Sequence, residues 1–295
     1  MKRFGLLLLA LLWLPRAGAA VDLLEPVLGV QRFAVVGPGD TLLDVAKRDR
    51  LGFGQVVGLN PGVDVWVPEP GTRVQLPTEH ILPNVERDAI VINLPEMRIY
   101  DFLADRGSPP VLAIAIGDVE DQTPVGEFRV GNKRLDPYWY VPDSIREENP
   151  NLPAVVPPGP ENPLGDRWLT LGNSSYGIHG TNNVWSIGRL STHGCIRLYN
   201  DDMRSLYDRT KVGARVRIVY QPVKLGIRQG ALYLEAHPDV YGLTPDVLHA
   251  TLAQLVALDA LGVIDGMSID EEQVRRVITE ARGAPVPIGR LRTVE

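Results

Sequence analysis

Apolar positions along this chain fall mostly in short runs rather than long amphipathic stretches. Residues 32–36 alternate as a short strand, and Gly37, Pro38 and Gly39 then turn the chain into Asp40 and Thr41, both helix-capping types. Residues 42–48 carry helical spacing, 55–59 a second short helix, and 73–77 a closing strand. Residues 89–93 and 97–102 read as a hairpin, 111–116 as a buried strand and 127–130 as another. The pattern lapses over 136–165, which is dense in proline and interrupted by Tyr138, Trp139 and Tyr140, with Trp168 just beyond it. Loops of this length inside a compact domain usually serve a site, so an ordered wall of a cleft is expected. Strands resume at 168–171, and Asn200, Asp201 and Asp202 are expected to cap a helix over 203–210 before a last strand at 214–220. Short strands divided by Gly/Pro turns, without helical crossovers, favour a β-sandwich.

Beyond residue 220 the pattern changes. Residues 231–236 are strand-like, Pro245 is expected at the first position of a helix, and Ser268 is expected to open a capping box for another helix through Arg282. Val274, Val277 and Ile278 give that helix a buried face. At the other end, Lys2 and Arg3 precede an apolar run over 5–14, and Ala17-Gly18-Ala19 forms a small-residue cleavage site. This predicts a signal peptide over 1–20, removed on export, since the run is too short to span a bilayer. No cysteine lies near the cut for lipid attachment, so a soluble exported protein is expected. The remaining length of about 275 residues predicts more than one domain. A formal charge of −6, with no long Lys/Arg run, argues against a nucleic-acid surface.

Candidate chemistry is concentrated in IHGTN at 178–182 and STHGCIRL at 191–198. These segments hold the only cysteine and two of the five histidines. A thiol attacks carbonyls as thiolate, so Cys195 needs a base and donors for the oxyanion that forms. His179 and His193 are candidate bases, and Arg197 adds charge favouring thiolate, oxyanion or a substrate carboxylate. From the residues alone, three readings stand: a nucleophile, a buried structural thiol, or a metal site formed by His179, His193 and Cys195. A lone thiol in an oxidising compartment is more simply explained by chemistry than by packing.

The HGTN…[ST]HGCxRL pattern, with Thr192 at the Ser/Thr position and TPVGEF at 123–128 upstream, resembles the YkuD-type L,D-transpeptidases over residues 87–219. The resemblance implies a mainly β fold: a β-sandwich catalytic domain at 87–220, followed by an α/β C-terminal extension at 221–295 similar to that of the ErfK-like subgroup. It implies that His179 is the base for Cys195, and that His193, with the Gly194 and Cys195 N–H groups, shapes the thiol and oxyanion surroundings. Arg197 would orient a substrate carboxylate or the active loop, or form a structural ion pair, and Tyr176, Gly180, Thr181 and Thr192 would contact substrate. The implied reaction is acyl transfer from meso-diaminopimelate of a peptidoglycan tetrapeptide stem, with release of D-alanine and no metal or organic cofactor. The acceptor would be the C-terminal lysine of a Braun-type lipoprotein, with a second stem peptide (a 3-3 cross-link) or water as alternatives. An idle catalytic domain on a wall-binding protein is the non-enzymatic alternative.

Residues 31–78, with GDTL at 39–42 and LNPG at 59–62, are similar to a LysM module of β-α-α-β order. That similarity implies contact with N-acetylglucosamine-containing glycan through Gly39, Asp40, Thr41, Asn60 and Pro61. Trp66 could add a stacking face or pack the module. Together these readings imply a periplasmic location.

Overall fold

The computed structural model describes residues 24–291, so the signal-peptide expectation at 1–20 lies outside the described residues. The first body has the expected β-α-α-β order. Strands Arg32–Val35 and Arg73–Leu76 pair antiparallel, with helices Leu42–Arg48 and Phe53–Leu59 between them. Leu42, Val45, Val56, Val74 and Leu76 form its core. Thr41 starts the first helix because its hydroxyl accepts the Asp44 N–H at 3.1 Å while the Asp44 carboxylate accepts the Thr41 N–H at 2.9 Å. The second helix begins at Phe53, two residues ahead of expectation, because Gly52 in extended backbone serves as its cap.

The second body is a nine-stranded sheet. Its order is Leu190–Thr192, Val111–Gly117, Ile196–Leu198, Gly177–His179, Arg167–Leu171, Gly126–Leu135, Arg215–Val219, Ile90–Asn93 and Arg98–Asp101. Val111–Gly117 also pairs with Arg98–Asp101, so the order returns on itself around one core containing Ile92, Ile99, Ile114, Leu169, Ile196 and Val216. This is the mainly β, sandwich-type architecture expected. The strand expected at 127–130 extends over Gly126–Leu135 because Arg215–Val219 and Arg167–Leu171 both pair with it. The expected cap at Asn200 to Asp202 is corrected: the helix is Asn200–Arg209, capped by Tyr199, with Asp201 and Asp202 in its first turn. Residues 136–165 are ordered, with a two-residue hairpin (Trp139–Tyr140 against Val155–Val156) and the short helix Asp143–Glu148.

The third body joins distant parts of the chain. Its six strands run Met267–Ile269, Val286–Leu291, Ala231–Ala236, Val223–Arg228, Glu25–Leu28 and His80–Ile81. Helices Val247–Ala260 and Glu271–Glu280 complete it around Leu232, Leu234, Leu255, Val274 and Ile288. Pro245, expected at the first helical position, lies ahead of its helix, and both helices are capped by aspartates. Asp246 accepts from the His249 N–H at 2.8 Å, and Asp270 from the Gln273 N–H at 2.9 Å. Ser268 instead lies in a strand opposite Arg290. A carboxylate one residue before each first turn provides the stronger acceptor.

A buried ionic cluster locks the three bodies together. Lys224 Nζ lies 2.7 Å from Glu96 and 3.2 Å from Glu235, and Arg98 donates to Glu235 at 3.1 Å and to the Pro77 carbonyl at 3.1 Å. His237 Nε2 lies 2.8 Å from Glu235, which also accepts the Ile81 N–H. Two cations thus balance two fully buried carboxylates, the condition under which buried charge is tolerated.

Candidate active site

His179 ends the strand Gly177–His179, whose neighbours are Arg167–Leu171 on one side and Ile196–Leu198 on the other. The register sets Arg134, Trp168, His179 and Arg197 opposite one another in a row across four strands. Directly opposed residues share a face, so the row delivers two arginines, an indole and an imidazole to one side of the sheet. Cys195 lies one residue before Ile196–Leu198, beside that row. Residues 136–165 supply the far wall, with Tyr138, Trp139 and Tyr140 lining a cleft of about 370 Å³ that contains Cys195, His179, His193 and Arg197.

His179 is almost fully buried, with its ring stacked on Trp168 at 5.4 Å between centroids. Its Nδ1 lies 2.6 Å from the Gly180 carbonyl oxygen. A carbonyl can only accept, so in the neutral ring Nδ1 carries the proton and Nε2 keeps its lone pair. Burial, reinforced by Arg197, pushes the His179 pKa down to about 3, with the Gly180 and Leu164 carbonyls acting in the opposite direction. Burial likewise raises the Cys195 thiol above its ordinary range, against smaller lowering effects from the Gly177 backbone and Arg197. Burial thus acts against the charged form of both groups. Cys195 is half-buried, its sulfur 4.0 Å from the Ser175 carbonyl oxygen, so it is not sealed in the core as a structural thiol would be.

The loop around the thiol is held by its own backbone. Gly194 has φ +87°, and a Cβ there would lie 2.4 Å from the Tyr176 ring, so only glycine fits. Thr192 Oγ1 donates to the Cys195 carbonyl at 2.5 Å. Thr123 Oγ1 donates to the Gly194 carbonyl at 3.0 Å and accepts the Gly117 N–H at 2.9 Å. Tyr241, from the C-terminal body, donates to the Gly117 carbonyl at 2.6 Å and accepts the Thr123 N–H at 3.3 Å. Asn200 accepts the Thr181 N–H at 2.9 Å and donates to the Thr181 carbonyl at 3.0 Å, fixing the backbone beside His179. Thr123, Tyr241, Asn200 and Arg134 were not legible as site residues. Thr123 lies in the upstream TPVGEF segment, which was the one available signal among them.

Arg197 donates from Nη1 to the Ser191 carbonyl at 3.2 Å, and its buried Nε has no partner. No ion pair joins it to a carboxylate among the described residues, so the structural ion-pair reading is set aside. His193 stands at the cleft mouth, where Nε2 lies 3.2 Å from Glu148 and 3.9 Å from Asp121. His179, His193 and Cys195 do not converge as metal ligands. Among the described residues the one closely spaced ligand-type group is Glu96, Glu235 and His237, where Lys224 already supplies the cation.

In the N-terminal module, Gly39 and Pro61 are exposed, whereas the other three residues expected at the glycan carry internal contacts. Asp40 accepts the Gly37 N–H and pairs with Arg48, both at 2.9 Å, and Thr41 caps its helix. The Asn60 amide donates to the Val56 and Gln75 carbonyls and accepts the Gln75 N–H, which leaves it buried and occupied. Trp66 is 58% exposed, with its ring 6.0 Å from that of Phe53.

Known proteins resemble this chain over most of its length. Residues 87–218 match the sequence model of the L,D-transpeptidase catalytic domain of the YkuD type. A probable L,D-transpeptidase, ErfK/SrfK of Salmonella typhimurium, is 35% identical over 82% of this chain and 81% of its own length. The probable L,D-transpeptidase YcfS of Escherichia coli is 32% identical over 94% of this chain and 88% of its own. The ErfK/SrfK protein of Escherichia coli is 34% identical over 88% and 86%.

Proposed function

Since the chain belongs to the YkuD-type L,D-transpeptidase family and is a transpeptidase, we propose that it works by acyl transfer through a thioester on Cys195. The observation that carries this reading is the Nδ1 contact of His179 with Gly180, which leaves Nε2 free to take a proton in the cleft that holds the thiol. His179 takes the Cys195 proton as sulfur attacks the carbonyl of meso-diaminopimelate in a tetrapeptide stem. The N–H groups of Gly194 and Cys195 receive the oxyanion. Collapse breaks the C–N bond, and D-alanine leaves carrying the proton from His179. An amine acceptor then gives its proton to His179, attacks the thioester, and releases Cys195 as thiol.

An anionic donor suits the cleft. Arg134 and Arg197 both line it, and neither has a carboxylate partner among the described residues. An amine acceptor suits its mouth, where Glu148 and Asp121 flank His193 and favour an ammonium group over water. The acceptor proposed is the C-terminal lysine of a Braun-type lipoprotein. The N-terminal module, read as LysM, would hold the glycan strand, and export to the periplasm follows from the apolar run at 5–14 and the Ala17-Gly18-Ala19 site.

Intact-mass spectrometry of the protein with a tetrapeptide-stem muropeptide tests the chemistry. The expected result is an adduct lacking D-alanine, absent in Cys195→Ala, which a lysine-ended peptide converts to peptide-linked muropeptide. An adduct resolved only by water or by a second stem would replace the lipoprotein acceptor. Turnover by a folded Cys195→Ala variant would overturn the nucleophile.

A further inference from the structure

The segment between the two halves of the motif is gripped by the N-terminal module. The N–H groups of Phe53 and Gly54 donate to the carbonyls of Ile187 and Gly188 at 3.0 and 3.3 Å. The approach is close enough that side chains are excluded. Gly188 has φ +84°, and a Cβ there would lie 2.4 Å from Phe53 N, while one on Gly54 would lie 2.7 Å from Gly188 O. The contact is flanked by the Arg189 guanidinium 4.2 Å over the Phe53 ring and Lys47 Nζ 4.6 Å over the Trp185 ring. Tyr199 and Gln55 add hydrogen bonds to the Leu51 and Glu96 carbonyls, each at 2.9 Å.

The gripped segment leads directly to the thiol. Gly188 N–H donates to the Ile114 carbonyl at 2.9 Å, and the Arg189 carbonyl accepts the Ile116 N–H at 3.3 Å. The chain continues as Leu190–Thr192, paired in parallel with Val111–Gly117. Its last two residues hold the site, because the Ser191 carbonyl orients Arg197 and the Thr192 hydroxyl holds the Cys195 carbonyl. Hydrogen-bonded backbone therefore connects the module to the peptide that carries the nucleophile.

We infer that the N-terminal module is a positioning element for Cys195, acting through Gly54 and Gly188, in addition to any glycan it holds. The inference rests on the acyl-transfer reading of Cys195 and goes beyond it, because it assigns the module an effect on donors that carry no sugar. Gly54→Ala is the clean probe. Alanine favours a helix over glycine, so the module's own fold is not weakened while its contact with Gly188 is forced apart. With a glycan-free tetrapeptide donor, kcat for acylation should fall about tenfold or more with KM nearly unchanged, as expected for a small displacement of a reacting group. The pH dependence of Cys195 alkylation by iodoacetamide should shift as well. Gly188→Ala should act in the same direction more strongly, provided circular dichroism shows it folded. Wild-type kcat and a wild-type alkylation profile in folded Gly54→Ala would overturn the inference. If the wild-type protein forms no thioester, the alkylation comparison alone decides, so failure of the proposed reaction and failure of this inference remain distinct.

Discussion

His179 and Cys195 both sit where burial disfavours their charged forms. On the proposed acyl-transfer route, proton transfer would then accompany attack rather than precede it. One consequence is measurable without substrate. Alkylation of Cys195 by iodoacetamide should be slower at pH 7 than for an unstructured cysteine, and should rise only as pH passes the ordinary thiol range. A reactivity plateau extending below pH 7 would show a preformed ion pair instead. Arg134 allows a second test at this scale. Its position opposite Trp168, with no acidic partner among the described residues, predicts that Arg134→Gln raises KM for a donor with free carboxylates about tenfold, the value of one charge-assisted contact. An equal effect on an amidated donor would argue against that role.

Among the elements, those beside the motif were the most legible. The strand at 168–171 and the aromatic-rich wall announce themselves through a short apolar run and clustered rings, whereas the strands carrying His179 and Arg197, three residues each, have no such run. What holds them was not legible, because it acts across long separations in sequence. Thr123 reaches Gly194 over 71 residues, and Tyr241 reaches Thr123 over 118. Asn200 read as a helix cap, since an asparagine before an acidic turn is chemically indistinguishable from one, whereas its amide clamps Thr181. Tyr241 gives the C-terminal body a part in the site. Tyr241→Phe keeps the ring stacked on Tyr220 but deprives the Gly117 carbonyl of its donor. It should cost about 1–2 kcal/mol of stability and slow acylation severalfold at unchanged KM, read by denaturant melts and by the rate of adduct formation.

Over the whole molecule, buried histidines tie folding to pH. His80, packed against Tyr100, has its pKa pushed down to about 4, first by burial and then by Arg98, and His179 is lowered to about 3. Both are neutral in the folded protein, while the unfolded chain takes up protons below about pH 6.5. Their stabilising effect is therefore complete above that pH and declines as pH falls toward 4, by about 1.4 kcal/mol per pH unit for each histidine. Denaturant titrations at pH 7.0, 5.5 and 4.5 should show this slope, and His80→Asn should reduce it. Stability independent of pH over that range would remove burial as the cause.

The sheet shared by both ends of the chain has a consequence for how the protein is made. Glu25–Leu28 lies between Val223–Arg228, its parallel partner, and His80–Ile81. During synthesis this strand is made about two hundred residues before the edge it must join. Parallel pairing over such a separation is slow to form, and until it does the strand remains an open edge able to recruit other chains. A fragment ending at Tyr220 would retain every residue of the HGTN…THGC motif and still leave that edge uncovered. The catalytic unit and its tail are therefore best regarded as a single product of biosynthesis, completed only when the last strands are delivered.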